Sequence, residues 1–356
     1  MYAVKISGYL RVRVAAIKQY DNKTIPPTVI ITNIAAMNHS LYNPFKSFDF
    51  RNDKCFLSGN TASPLAIRVL PDWLLNMANL TGDEAMKLLD ESIRSYKSLV
   101  VPASAEIYTE AILPLEQKVE TAFDEGYKGV SALPEVELFQ WIGKMMYSFL
   151  YIEMQGAIRL NQLSGDGMNM SQGLMHKFGN LHLMLQGIFR EVEFEEFKPW
   201  SIVVVPLENT ETGFSFRDEI NTLIFSLKFK DFGIVACLQD NGTNKRYHQQ
   251  LLDFIKDKPL TDQQFEELAA RFFYSAYLFN RLPEYNVIEA NGVAYIDPMP
   301  LRGIQNKPLF DEWQHKTYGQ VLENFWKPYE LTLFEIIKDP KAPLSFFEQP
   351  LLPDAG

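Results

Sequence analysis

The sequence predicts an α+β protein: a mostly helical region over residues 1–195, then an antiparallel sheet packed by helices over 196–356. Three patterns lead there. The stretch from Pro134 to about Leu160 is apolar nearly all round, with Phe139, Trp141, Met145, Met146, Phe149, Leu150 and Ile152, and such a helix belongs in the centre of a fold. Beyond residue 195 the period changes to two. Leu223, Phe225, Leu227 and Phe229 share one strand face, and Phe232–Leu238 follows two residues later as the return strand of a hairpin. Finally, Asn291-Gly292 stands between Tyr285–Glu289 and Val293–Ile296, the pattern of a type I′ hairpin.

The remaining elements follow in order. Tyr9–Val14 and 29–34 read as strands, with Pro26-Pro27 as a turn between them. Leu74–Leu80 begins or continues a helix. Asp83–Tyr96 is expected as a helix, with Thr81 as N-cap and Glu84 at the capping-box position. Ala105–Phe123 repeats apolar residues every fourth position, and Pro114 should kink it. Pro134 opens the long apolar helix, Ser164-Gly-Asp-Gly167 ends it, and Met170–Phe189 forms another. Trp200–Pro206 is a buried strand, and Asp240-Asn-Gly242 a turn. Helices are expected over 245–255, 261–280 and 319–337, the last containing Pro328, before a proline-dotted tail from Pro340 that packs loosely or frays.

Composition narrows the function classes. At 356 residues the chain suits two lobes or one large mixed domain, and 26 Phe, 16 Tyr and 5 Trp promise an aromatic core. The formal charge of −10 opposes non-specific association with nucleic acid or anionic lipid, while leaving room for a local basic patch. Cys55 and Cys237 cannot build a disulfide framework and suit a reducing compartment. The N-terminus lacks signal-peptide regions, and no run of about 18 apolar residues exists, so a soluble cytoplasmic protein without a membrane span is expected.

One constellation carries chemistry by what it lacks. Asp53-Lys-Cys55-Phe-Leu-Ser58-Gly59 reads like a C-x-x-C-G zinc knuckle with one cysteine replaced. Arg68-Val-Leu-Pro71-Asp72-Trp73-Leu74 reads like H-x-x-P-x-W-L with the histidine replaced. About 45 residues after the knuckle comes Val101-Pro-Ala-Ser104-Ala-Glu-Ile107-Tyr108, then Leu115-Glu116 and Gln140-Trp141-Ile-Gly-Lys144. Over residues 50–150 this layout resembles a group of HNH-type endonuclease proteins.

That resemblance implies two C-x-x-C pairs around a structural zinc, and a histidine that activates water while a metal stabilises the phosphate. Here only Cys55 keeps its ligand slot; Ser58, Ser104 and Ile107 fill the others, Arg68 replaces the histidine and Tyr108 an asparagine. One thiolate, two hydroxyls and an alkyl group cannot hold zinc, so no metal or other cofactor is expected. Arg68 stays protonated and cannot act as a base, though it can bind a phosphate or carboxylate.

Other candidates are read as structural. His176 and His182 lie six apart, the wrong spacing for a helical zinc pair, and His39, His248 and His315 stand alone. Glu191, Glu193, Glu195 and Glu196 read as a solvated run, and Asp297-Pro298 as a turn. Met145, Met146, Met154, Met168, Met170, Met175 and Met184 read as core filling. No nucleotide-binding glycine motif or serine-hydrolase elbow occurs.

Three functional readings remain, in this order. The first is a non-catalytic binding or interaction protein on a degenerate HNH-like frame, its partner unknown. The second is an enzyme whose site lies in the C-terminal sheet, around Asp240 or Asp297. The third is a residual nucleic-acid binder using Arg51, Lys54, Arg68 and Lys97, which net charge disfavours.

Overall fold

The computed structural model describes residues 41–347, apart from 62–63, 166–169, 196–197, 209–213, 302–306 and 340–341. The expected strands at 9–14 and 29–34 and the Pro26-Pro27 turn lie outside these residues, as do His39, Met168 and Glu196.

The chain begins with β1 (Leu65–Arg68), α1 (Asp72–Met77), β2 (Ala85–Lys87), β3 (Ile93–Ser95) and β4 (Val100–Ala103). A broken helix follows as α2 (Ala105–Ile107), a π-helical stretch (Tyr108–Ile112) and α3 (Leu113–Asp124), then α4 (Tyr127–Ala132), α5 (Glu135–Ser164) and α6 (Gln172–Leu185). The C-terminal part holds β5 (Val192–Phe194), β6 (Ser201–Pro206), β7 (Ser215–Glu219), β8 (Ile224–Phe229) and β9 (Phe232–Cys237). It continues with α7 (Thr243–Tyr247), α8 (Gln249–Ile255), α9 (Asp262–Leu278), β10 (Tyr285–Ala290), β11 (Val293–Pro298), α10 (His315–Phe325) and α11 (Leu333–Ile336).

The main sheet is antiparallel, in the order β6-β9-β8-β7. Both faces of β8 and β9 are buried, because helices cover each side. Phe225, Leu227 and Phe229 join the core shared with α3 and α5, while Ile224, Val235 and Cys237 face α9 and α10. Phe123 of α3 packs on Phe229 and Phe232, and Phe139 and Phe149 of α5 stack on Trp200 and Phe216. The opposite side of α5 meets Phe50, Phe56 and His182. The middle of this helix, residues 141–152, is buried on every side, which is why its pattern carried no amphipathic stripe.

Two smaller sheets join distant segments. β1 pairs antiparallel with β4, and β5 runs parallel to β11, itself hairpinned to β10. Asn291 and Gly292 take φ of 54° and 84°, as the type I′ turn requires. Among the described residues, no helix is long and apolar enough to cross a membrane.

Five expectations need correction. Residues 83–96 form the β2–β3 hairpin, not a helix. Half of the capping box exists, with Thr81 N donating to Glu84 Oε1 (3.1 Å), but the Thr81 hydroxyl accepts from Asp83 N (3.2 Å) rather than from Glu84 N, which closes a turn. Asp90 then caps the hairpin through Ser92 N (3.0 Å), and Glu153 of α5 takes Leu89 N (2.9 Å), so tertiary bonding outweighs local propensity. Pro114 produces a π-helical stretch just before it, and the wider turn accommodates the ring. Pro328 does not sit inside a helix; it lies in a 3-10 turn (Lys327–Tyr329) separating α10 from α11. Asp297 and Pro298 belong to strand β11 rather than to a turn. The described part of the tail is not frayed: Ser345 Oγ and Phe346 N donate to Glu267 (2.8 and 2.7 Å), and Phe347 is buried.

Candidate functional site

The knuckle-like segment is a closed turn. Gly59 N donates to Cys55 O (2.8 Å) and Cys55 N to Asn60 O (2.9 Å), with Gly59 at φ 72°. A side chain at Gly59 would collide with the Tyr42 ring, its Cβ only 2.6 Å away. Phe56 N donates to Pro102 O (2.7 Å), so this turn lies against the end of β4, where the second ligand pair would stand. Cys55 is buried, and Ser58 Oγ accepts from Asn60 N at 3.4 Å. Ser104 Oγ accepts from Ile107 N (3.2 Å) as the N-cap of α2, while the Ile107 side chain packs into the core. One hydroxyl is spent on a cap and one slot is alkyl, so this donor set does not fit zinc. Among the described residues, no group of three or more His, Cys, Asp or Glu is placed to hold a metal ion.

Arg68 closes β1 opposite Val100 and pairs with Asp72. The other sequence-nominated cations are also paired: Arg51 with Asp49 (2.8 Å), Lys54 with Asp49 and Lys97 with Asp83.

The frame residues that carry no chemistry alone do meet. Trp73 Nε1 donates to Glu116 Oε2 (3.2 Å), Lys144 Nζ pairs with Glu116 Oε1, and the Trp73 and Trp141 rings lie 5.9 Å apart. Lys144 is 1% exposed. A charge that deep persists only with its partner in place, so this trio ties α1, α3 and α5 together.

In the C-terminal part, Asp240 gathers polar groups. Its carboxylate accepts from Ser201 Oγ (2.7 Å), Gly242 N (3.1 Å), Asn244 N (2.8 Å) and Asn244 Nδ2 (3.0 Å). Burial pushes its pKa up against these bonds. Ser275 Oγ then donates to Asn244 Oδ1 (2.6 Å) and lies 2.9 Å from His248 Nε2. The Asn244 amide, with its nitrogen committed to Asp240, offers Ser275 only an acceptor. Ser275 Oγ also reaches Phe272 O (3.0 Å). Burial, with the nearby Arg271 charge, lowers the His248 pKa to about 3. Ser275 and His248 are both buried, so this is a structural chain. Asp297, opposite Asn286 in the β10–β11 ladder, is not part of it.

The other histidines are dispersed. His176 is exposed on α6, His182 is buried between backbone carbonyls, and His315 begins α10. Glu191, Glu193 and Glu195 are exposed along β5, and Met145, Met146, Met154 and Met184 fill the core.

Beside the knuckle, residues 47–52 and one face of α5 border an open cleft of about 700 Å³. Arg51, which the sequence nominated, lines it together with Arg159, Gln155 and Gln162 of α5, which it did not. The available signal was the spacing of 155, 159 and 162, which puts three polar side chains on one face of an otherwise apolar helix. A shallower depression of about 320 Å³ lies between α3, α4 and the start of α5. Compared with known proteins, the chain matches no protein family, no curated protein and no solved structure.

Proposed function

We propose that this chain is a non-catalytic binding protein of the cytoplasm, built on an HNH-like frame from which zinc and catalytic histidine have been lost. The observation that carries the reading is the meeting of Trp73, Glu116 and Lys144, separated by 43 and 28 residues, in one buried cluster. They come from three separate pieces of the resemblance, and they sit in the core rather than scattered over the surface. The hydrogen bond from Phe56 to Pro102, which sets the two ligand segments side by side, supports the same frame. The core replaces the zinc staple: Cys55, Ile107 and their neighbours pack where a metal would otherwise join the two turns. The closed Asp240 chain favours binding over hidden catalysis, and the pairing of each nominated cation with an aspartate favours it over a polyanion footprint.

The test restores the ligands. Ser58→Cys, Ser104→Cys and Ile107→Cys together, with Cys55, are expected to bind one zinc per chain, read by metal analysis and by the tetrahedral cobalt spectrum. A triple variant that melts cooperatively yet takes up no metal sinks the frame. Wild-type protein is expected to carry no stoichiometric zinc and to leave plasmid DNA intact with magnesium or zinc present. Zinc at one per wild-type chain, or cleavage, overturns the loss of function.

A further inference from the structure

We infer that the cleft between residues 47–52 and α5 is a binding site for a small organic oxyanion, a carboxylate or phosphate carried on an apolar body. Resting on the binding reading above, this gives that reading a ligand class. The reason is an imbalance between donors and acceptors. Four acceptors of segment 49–52, besides the Asp49 carboxylate, are already taken. Tyr42 Oη donates to Asp49 O (3.0 Å), Gln155 Nε2 to Phe50 O (2.9 Å) and Asn52 Oδ1 (2.8 Å), and Tyr151 Oη to Arg51 O (2.8 Å). The Asp49 carboxylate is shared between Arg51 Nε and Lys54. Burial would raise the Asp49 pKa, but those two bonds outweigh it and hold the carboxyl low, so it stays ionised and occupied.

The donors are not used up. Arg51 spends only Nε on Asp49 and stands 3.6 Å from Asp53, which leaves its two terminal nitrogens without a hydrogen bond among the described residues. Arg159 has one distant ion-pair partner, Asp90, at 3.9 Å. The Asn52 amide nitrogen has no partner among the described residues. A concavity that presents two guanidiniums and an amide, with most acceptors of segment 49–52 taken, is complementary to an oxyanion, and guanidinium forks match carboxylate and phosphate oxygens in pairs. Phe48 and Ile158 supply the apolar wall. Phe48 is held at φ 50°, an uncommon conformation for an aromatic residue and one that occurs at ligand clamps. The volume of about 700 Å³ suits a small molecule rather than an ion alone.

Isothermal titration with phenyl phosphate, benzoate, inorganic phosphate and benzylamine tests this on the full chain. Phenyl phosphate or benzoate is expected to bind saturably and more tightly than inorganic phosphate, and the stronger of the two names the oxyanion. Arg51→Gln and Arg159→Gln, both at exposed side chains, should each weaken binding about tenfold while leaving the thermal melt unchanged. No saturable heat from either organic anion up to about 10 mM overturns the site. So does binding that both variants retain, or benzylamine binding equally well. Heat of binding is independent of metal content and DNA cleavage, so this site and the frame can fail separately.

Discussion

His182 shows how one residue can make stability depend on pH. Its ring lies wholly inside the fold, with Nδ1 3.1 Å from Tyr42 O and Nε2 3.1 Å from Phe56 O. A neutral imidazole has one proton for two carbonyls. Gln186 Nε2 already donates to Tyr42 O (2.8 Å), so the proton belongs on Nε2, facing Phe56. Burial outweighs both carbonyls and lowers the His182 pKa to about 4, below the 6.5 of an exposed histidine. The unfolded chain therefore binds more protons between these values. The His182 contribution is complete above pH 6.5 and drains away as pH falls toward 4, by on the order of 3 kcal/mol. His248 acts with the same sign, whereas Asp218, raised by burial to about 6, opposes it by holding its proton in the fold. His182→Gln isolates one part. Its urea-unfolding free energy should be about 1–2 kcal/mol lower at pH 7, from the lost hydrogen bonding, and should fall less than wild type between pH 6.5 and 4. Equal slopes for the two proteins would mean that His182 does not titrate on unfolding.

Among elements, the α3–α5 contact turns on Glu116 and Lys144. Lys144→Met leaves a buried carboxylate with only the Trp73 indole, and a loss of about 3–5 kcal/mol is expected. Adding Glu116→Leu removes the stranded charge, and the double variant should recover most of that loss, as a denaturant double-mutant cycle can read. A double variant as unstable as Lys144→Met alone would mean that packing, not charge, holds the helices. Legibility varied at this scale for physical reasons. α5, the β8–β9 hairpin and the β10–β11 turn were readable because periodicity and turn chemistry are local. β1, β4 and β5 are three or four residues long and exist only through partners 32 or more residues away, so no window of sequence contained their signal. Residues 83–96 misled because Glu84 takes Thr81 N ahead of a hairpin as it would ahead of a helix, while the Thr81 hydroxyl turns to Asp83 N. The cleft was half legible: Arg51 stood out by charge, while Arg159 lay concealed in a helix read for its apolar residues.

For the whole molecule, residues 345–347 form a strap rather than an appendage. Phe347 is 4% exposed, Phe346 packs edge-on against Trp326, and Gln264 Nε2 donates to Phe346 O (3.0 Å). Phe347→Ala should cost about 3 kcal/mol in urea unfolding and speed proteolysis near α10 and α11. An unchanged midpoint would show the strap to be dispensable. Proline spacing in the sequence suggested fraying, because the anchoring carboxylate, Glu267, lies 79 residues earlier and cannot be associated with the tail by pattern. The long helix α5 has a different consequence, one that belongs to biosynthesis. Its apolar surface is complete at residue 164, yet the strands that cover it end at residue 237. At ordinary elongation rates the interval is roughly 4–15 s. For that time the nascent chain presents the apolar middle of this helix uncovered to the cell, long enough to make the growing polypeptide a client of ribosome-associated chaperones.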